Sequence, residues 1–572
     1  MRNFLCFLAL WACLPAPVVS AQDAAEVADL LPLAGVREAE DLDEGEMERL
    51  TYWLRHPLAV NLLPRARLLE SGLLTPYQVA SLLDYRQSHG DILSFTELAA
   101  VDGFGEENVR LLRPCLSLAS SRIPGQRPDT LRTGLETLLR CAAGPSGFRY
   151  GLKNTLTRGD RWGAFVSLKA PAGAPLFPPA PAAVHLLHRT SGRHPGKWIL
   201  GDFGARFGQG LALWSGFSLS GFSDPASFAR KPSGLYPCRS FSPTGMHRGL
   251  AGDAQFGRFI LSGFVSLPGL WEGKAAGRVL PGANLAWYGR SGQVSATVFG
   301  RDAVSLEGRL CLRGADFFAE VAADGTSRAP AAVAGSVFPV GKRHRVSVLG
   351  RFCPPQFGTS WGQPARTWSR RQGERGIAFG WKWKDLSLTA DYACKGTDPS
   401  SPQWKFYGRY PLQLSENSVL TIRATERVRP GELLFWKTGL RLDWDATLPG
   451  WTYRFRTEGM LCRSAAFLTY ADIGRKTERW ALYGRGTLFR IDHWDDRIYS
   501  YERDAPENFT VPAYYGRGYA VSLFALRRLR LSDGWRRTLR LYARVSYTAC
   551  PWGAVRRPSR FEAKLQAVYV LR

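Results

Sequence analysis

The chain has 572 residues, 45% hydrophobic and 12% aromatic, with 75 Lys+Arg against 49 Asp+Glu for a formal net charge of +26. That length exceeds one ordinary globular core and implies more than one structural unit. Beyond the N-terminal leader no apolar run reaches the roughly 18 residues of a spanning helix, so a helical membrane protein is excluded and any membrane insertion must be as a barrel.

In chain order, Arg2 is followed by an apolar core from Phe4 to Leu14 and by the small-x-small pattern Val19-Ser20-Ala21. This predicts a signal peptide over residues 1–21. Leu10-Trp11-Ala12-Cys13 is a rival lipidation signal, disfavoured by the bulky Trp11 and the apolar residues beyond Cys13. Eight of the ten cysteines remain, spread singly, with no C-x-x-C and no Cys/His cluster. No metal, cofactor or redox site is indicated, while one or two disulfides of unreadable pairing stay open.

Residues 22–118 hold about 17 Asp+Glu against about 8 Arg and no Lys, a net of roughly −9, which leaves about +34 for residues 119–572. The positive excess sits wholly in the second part. A basic field collects anions, among them nucleic acid, lipopolysaccharide phosphates and anionic solutes.

The acidic part reads as helical. Leu42, Met47, Leu50 and Leu54 recur at helical spacing before Pro57, and Leu62 to Leu69 is a second stripe. After Ser71-Gly72-Leu73-Leu74, Thr75 stands as an N-cap with Pro76 at the first helical position, opening a helix that His89-Gly90 ends. Short helices are predicted over 96–101 and 106–112 around Asp102-Gly103-Phe104-Gly105.

Gly103-Phe104-Gly105 resembles the glycine-hydrophobic-glycine turn of helix-hairpin-helix modules, and Tyr85-Arg86-Gln87-Ser88-His89-Gly90 is similar to the stretch between the two hairpins of competence-type DNA receptors. Gly72-Leu73-Leu74 lacks the second glycine. The resemblance implies backbone-directed DNA binding through Gly72, Gly103, Phe104 and Gly105, because positive-φ glycines let backbone N–H groups approach a phosphate. The residues themselves leave a protein-docking role open, since a net negative module repels a polyanion and Glu106 and Glu107 occupy the helix end a phosphate would use.

Past a linker at 119–130, residues 131–572 alternate. Trp451, Tyr453 and Phe455 interleave with Thr452, Arg454 and Arg456; Ile377, Phe379, Trp381 and Trp383 with Lys382 and Lys384; Leu539, Leu541 and Val545 with Arg540 and Arg544. A soluble sandwich would bury the apolar face against a second sheet, and a membrane barrel would turn it to lipid. The leader, 19 Trp and 20 Tyr for interfacial girdles, and strands near the spanning length favour an antiparallel transmembrane β-barrel. At one strand per roughly 20–28 residues it would have about 16–22 strands. Its final strand, Phe561 to Leu571, resembles the segment read by the barrel-assembly machinery but ends in Arg572. The proline-rich stretch 170–183 is expected to be an extra-membrane loop.

Leu200-Gly201-Asp202-Phe203, Phe207 to Gly216, Tyr501-Glu502-Arg503-Asp504 and Pro512 to Gly518 resemble recurring segments of Bacteroidetes secreted or outer-membrane proteins that join a helix-hairpin-helix module to a long β-region. The resemblance implies an outer-membrane address more firmly than an activity. No G-x-S-x-G, H-E-x-x-H or Walker loop is present, so no enzyme is expected. His185 and His188 fall on opposite faces of a strand, and Asp492, Asp495 and Asp496 read as loop charge.

The expectation is a small all-α helix-hairpin-helix module in the periplasm followed by an outer-membrane barrel. Lys382, Lys384, Arg454, Arg456, Arg540 and Arg544 would face its lumen, since lipid rejects charge. The chain would bind or pass nucleic acid or other anionic ligands, or else be a structural or porin-like barrel whose residues 22–118 dock a periplasmic protein without DNA binding. Its further partners would be the membrane with its lipopolysaccharide and the barrel-assembly machinery.

Overall fold

The computed structural model describes residues 31–34, 40 and 44–571, less 121–132, 217–223, 268–278, 431–434, 532–536, 554–556 and positions 342, 369, 399, 401 and 509. The leader and most of the linker lie outside the described residues.

Among the described residues five α-helices form the N-terminal part: α1 (Glu44–Arg55), α2 (Arg65–Glu70), α3 (Pro76–His89), α4 (Phe95–Ala100) and α5 (Gly105–Leu112). Thr75 caps α3 in a full capping box with Gln78, and Gly90 ends it at φ 93°. Leu50, Leu68, Leu82, Leu98 and Phe104 form its core. Between α4 and α5, Gly103 stands at φ 83°, and a Cβ there would lie 2.7 Å from the Tyr77 ring. Gly103→Ala is therefore expected to cost about 1–2 kcal/mol locally, read as roughly tenfold faster amide hydrogen exchange across α4 and α5 in the whole protein.

From Thr133 to Leu571 the chain is an antiparallel meander of 24 strands, closed by Arg557–Leu571 pairing with Thr133–Gly144 (Leu565 opposite Cys141). The count exceeds the expected 16–22 because hairpin turns as short as 384–385 shorten the repeat. A short extra segment, Gly234–Pro237, continues the edge of Gly196–Arg206 where pairing with His247–Phe256 stops. The proline-rich loop is narrower than expected: Ala180–Thr190 is a strand that includes Pro181, accommodated at its start beside a register shift.

The faces of this barrel are inverted relative to a soluble protein. Leu285, Leu306, Val321, Phe379, Leu440, Leu488, Leu523 and Leu565 are exposed on the outside, while Asn284, Glu307, Glu320, Asp391, Arg441, Asp472, Arg485 and Arg544 are buried within. Exposed Trp162, Trp198, Trp287, Trp383 and Trp451 ring the mouth nearer Thr133 and Leu571, and Trp404, Trp436 and Trp552 the opposite mouth. An apolar belt between two aromatic girdles is the surface a lipid bilayer requires. None of the described helices is long and apolar enough to cross a membrane.

Turns at the mouth holding Thr133 and Leu571 are short, whereas the opposite mouth carries the longest connections, 207–246, 354–373 and 492–512. The described residues of these three fold into the lumen. Leu211 of the first packs with Phe318, Leu349 and Phe357, and Glu320 accepts the N–H groups of Gln209 (2.6 Å) and Leu211 (3.1 Å). Trp214 N–H donates to the Trp361 carbonyl at 2.9 Å. The segments resembling the Bacteroidetes proteins are in large part these inward connections. No disulfide joins the eight described cysteines.

Candidate functional site

The helical module was expected in the periplasm; its ion pairs with inward-facing wall residues put it inside the barrel. Its acidic side chains meet inward cations around the circumference. Lys153 is 2.9 Å from Glu48, Lys197 is 3.1 Å and Arg189 3.3 Å from Glu70, and Arg206 is 3.3 Å from Glu46. Across the lumen Arg456 and Arg441 hold Glu40 at 2.7 and 3.4 Å, and Lys382 reaches Glu107 at 2.7 Å. The polarity reverses at Arg55 of α1, which binds Glu136 of the wall (2.5 Å) and Glu507 of an inward connection (3.0 Å). The long connections descend onto the same plug: Lys231 Nζ donates to the Leu73 carbonyl at 3.0 Å, and the Arg239 guanidinium sits 4.0 Å over the Tyr52 ring.

Burial by itself would raise the pKa of Glu46, but Arg49 and Arg206 overcome it and hold the carboxyl down to about 2. Glu70 is driven lower still, its burial outweighed by Lys197, Arg67 and Arg189. Lys231 is pushed down to about 8 by burial and by the neighbouring Arg49 and Arg309. The plug is thus an ionised acidic body in a basic sleeve, which accounts for the opposite charges of the two parts of the chain.

Gly72 is buried at φ 62°, with Arg49 where a Cβ would project, so it offers no backbone to a ligand. Phe104 is a core side chain, 1% exposed. Gly103 and Gly105 form an exposed tip flanked by Asp102, Glu106 and Glu107. Among the six candidate lumen cations, Arg456 pairs with Asp443 and Glu40, Arg544 with Glu502 and Glu562, and Arg454 with Asp445 nearer the rim. Arg540 is half-buried on the inward face opposite Arg528. Lys384 is not on that face: the two-residue turn puts it at φ 50°, exposed, with its ammonium 5.7 Å over Trp383. His185 stacks inside on Phe165, and His188 packs on the exposed Trp162. Asp496 accepts the backbone N–H groups of Arg463 and Ser464, and no metal-holding cluster occurs among the described residues.

Sequence reasoning missed Lys153, Arg189, Lys197, Arg206 and Arg441. Alternation alone would have turned Lys153 and Lys197 inward, but their partners lie 105 and 127 residues away in sequence.

No family model and no curated protein matches the chain. Solved structures that align include OccD1 (OprD), at 10% identity over 77% of this chain and 95% of that one with a TM-score of 0.28. OccK5 (OpdH) of Pseudomonas aeruginosa aligns at 10% over 77% and 97%, TM-score 0.28. A chain of the E. coli P pilus tip assembly intermediate PapC-PapD-PapK-PapG aligns at 9% over 78% and 62%, TM-score 0.44. Scores under 0.5 decide nothing about this chain, whose architecture stands on its own strand register.

Proposed function

We propose that this chain is an outer-membrane β-barrel serving as a gated conduit for anionic ligands, with the helical module as its plug. The observation that carries the reading is the boundary between plug and wall. The module has its own apolar core, to which the described wall contributes only Ile260 and Tyr288, while the rest of the boundary described above is ion pairs, the Lys231 hydrogen bond and the Arg239 contact with Tyr52. Such a boundary can be rehydrated and parted, whereas a continuous apolar core cannot. Once parted, the wall's cations lose the plug's carboxylates, though Lys197 and Arg456 keep Asp253 and Asp443, and the lumen gains net positive charge.

Short turns at the mouth of Thr133 and Leu571 support a periplasmic face there, with the long connections outside the cell. The exposed tip Gly103–Gly105 then meets the periplasm. Its flanking carboxylates favour a basic protein partner over duplex DNA, whose grip depends on cation contacts.

Deleting residues 22–118 tests the reading in planar bilayers, with heat-modifiable gel migration as the check that the barrel has formed. The whole protein is expected to be nearly silent, and the deleted form to conduct at least about tenfold more and prefer anions. A folded, deleted barrel that stays sealed or selects cations would overturn it.

A further inference from the structure

Three neighbouring strands, Pro402–Ser415, Ser418–Arg429 and Phe435–Leu448, set like charges directly opposite one another. Lys405 faces Arg427, which faces Lys437; four residues nearer the other mouth, Arg409 faces Arg423, which faces Arg441. Exposed Trp404, Phe406, Ile422, Trp436 and Leu440 on the alternate positions put all six cations on the lumen side. Facing like charges are destabilising, by up to about 1 kcal/mol each, so a row of them needs compensation.

Two of the three lower cations have it. Arg423 is 3.0 Å from Glu458, and Arg441 is 2.6 Å from Asp443 and 3.4 Å from Glu40 of the plug. For the upper row no ion pair with a carboxylate is present among the described residues, and Arg429 and Arg497 beside it have none either. Lys405 and Lys437 reach only Thr367 Oγ1 (3.3 Å) and the Asp495 carbonyl (2.6 Å). Arg429 donates to Gln403 and stacks 5.0 Å over Trp368, and Arg497 donates to the Trp494 carbonyl and the Tyr499 hydroxyl at 2.9 Å each. Asp391, opposite Lys405, is occupied by Arg351 and Thr367. In the lower row Arg409 has a buried Nε with no partner.

We propose that the upper row is a binding site for a multiply charged, phosphate-bearing anion entering by the long-connection mouth, and that Glu40 occupies the inner end of the same track as the plug's stand-in for that anion. The proposal rests on the reading of the barrel as an anion conduit. Neighbouring strands are about 4.8 Å apart, so three cations span about 10 Å, a length that linked phosphates cover and a single one does not. Because the row faces the lumen and not the lipid, the ligand is a soluble species and not a membrane headgroup.

The test is calorimetric titration of the whole protein in detergent with tripolyphosphate at low salt, with citrate as the carboxylate comparison. Lys405→Gln, Arg427→Gln and Lys437→Gln are each expected to weaken tripolyphosphate binding about tenfold and to reduce its salt dependence. Their thermal midpoints should be unchanged or higher, because the facing charges are relieved. Undetectable binding, or affinity unaltered by all three substitutions in barrels that keep heat-modifiable migration, would overturn the site. Citrate bound as tightly as tripolyphosphate would overturn the phosphate class. A conducting deletion barrel with no tripolyphosphate site would fail this proposal alone, and a sealed one with an intact site would fail only the conduit.

Discussion

Replacing Glu70 with alanine is expected to loosen the plug more than any other single change in the module. Its side chain is 4% exposed and lies 3.1 Å from Lys197, 3.3 Å from Arg189 and 3.0 Å from Arg67. Lys197 keeps Asp253 at 2.8 Å, so the charges left uncompensated are Arg67 and Arg189. Breaking a buried pair in this way costs about 3–5 kcal/mol. If half of that falls on docking, the open population rises by about ten- to a hundredfold. Planar bilayers should show frequent openings in Glu70→Ala that are rare in the wild type, and Glu70→Gln should lie between them. A variant as silent as the wild type would show that the ion pairs do not hold the plug.

The same carboxylates set a pH dependence. Glu46 and Glu70 have pKa values below the ordinary carboxylate range when docked, so their contribution is complete above about pH 4.5 and is lost as the pH falls through the docked values, about 2 for Glu46. Through these two carboxylates, openings should therefore increase from about pH 4.5 downward and stay constant from there to about pH 7, below the range in which Lys231 loses its proton.

The second large effect is expected in the wall. The Arg351 side chain is 1% exposed and bridges Glu374 at 2.5 Å and Asp391 at 2.6 Å. It ties together Glu374–Trp383, Leu386–Cys394 and its own strand, His344–Cys353. Glu374 also accepts the N–H groups of Thr367 and Trp368, both at 2.6 Å, fastening the connection 354–373 inside the lumen. Arg351→Met would leave two carboxylates buried without their cation and destabilise the barrel by about 3–5 kcal/mol. The readout is the temperature at which the compact gel band converts to the unfolded one. Adding Glu374→Gln and Asp391→Asn to Arg351→Met should restore most of the loss. An unshifted transition in Arg351→Met would mean that the bridge is incidental.

Local chemistry was legible without a fold. Thr75-Pro76 and His89-Gly90 set the ends of α3, and the alternation around Phe379 and Phe455 set which side of each strand meets lipid, because both signals act within a few residues. The acidic character of residues 22–118 and the basic character of the rest were equally plain. What composition left open was their relation. A separate periplasmic module and a lumenal plug have the same sequence pattern, since each needs an apolar core and a polar exterior. The choice is made by pairs such as Glu70 with Lys197 and Glu40 with Arg456, 127 and 416 residues apart, which exist only once 24 strands have closed and turned their cations inward. Lys384 failed to follow its strand because a turn, not the alternation, owns that position. Alternation, caps and net charge are thus written in neighbouring residues, while the strand number, the inward connections and the place of the plug follow from closure, which depends on turn lengths and on charges brought together only when the sheet meets itself.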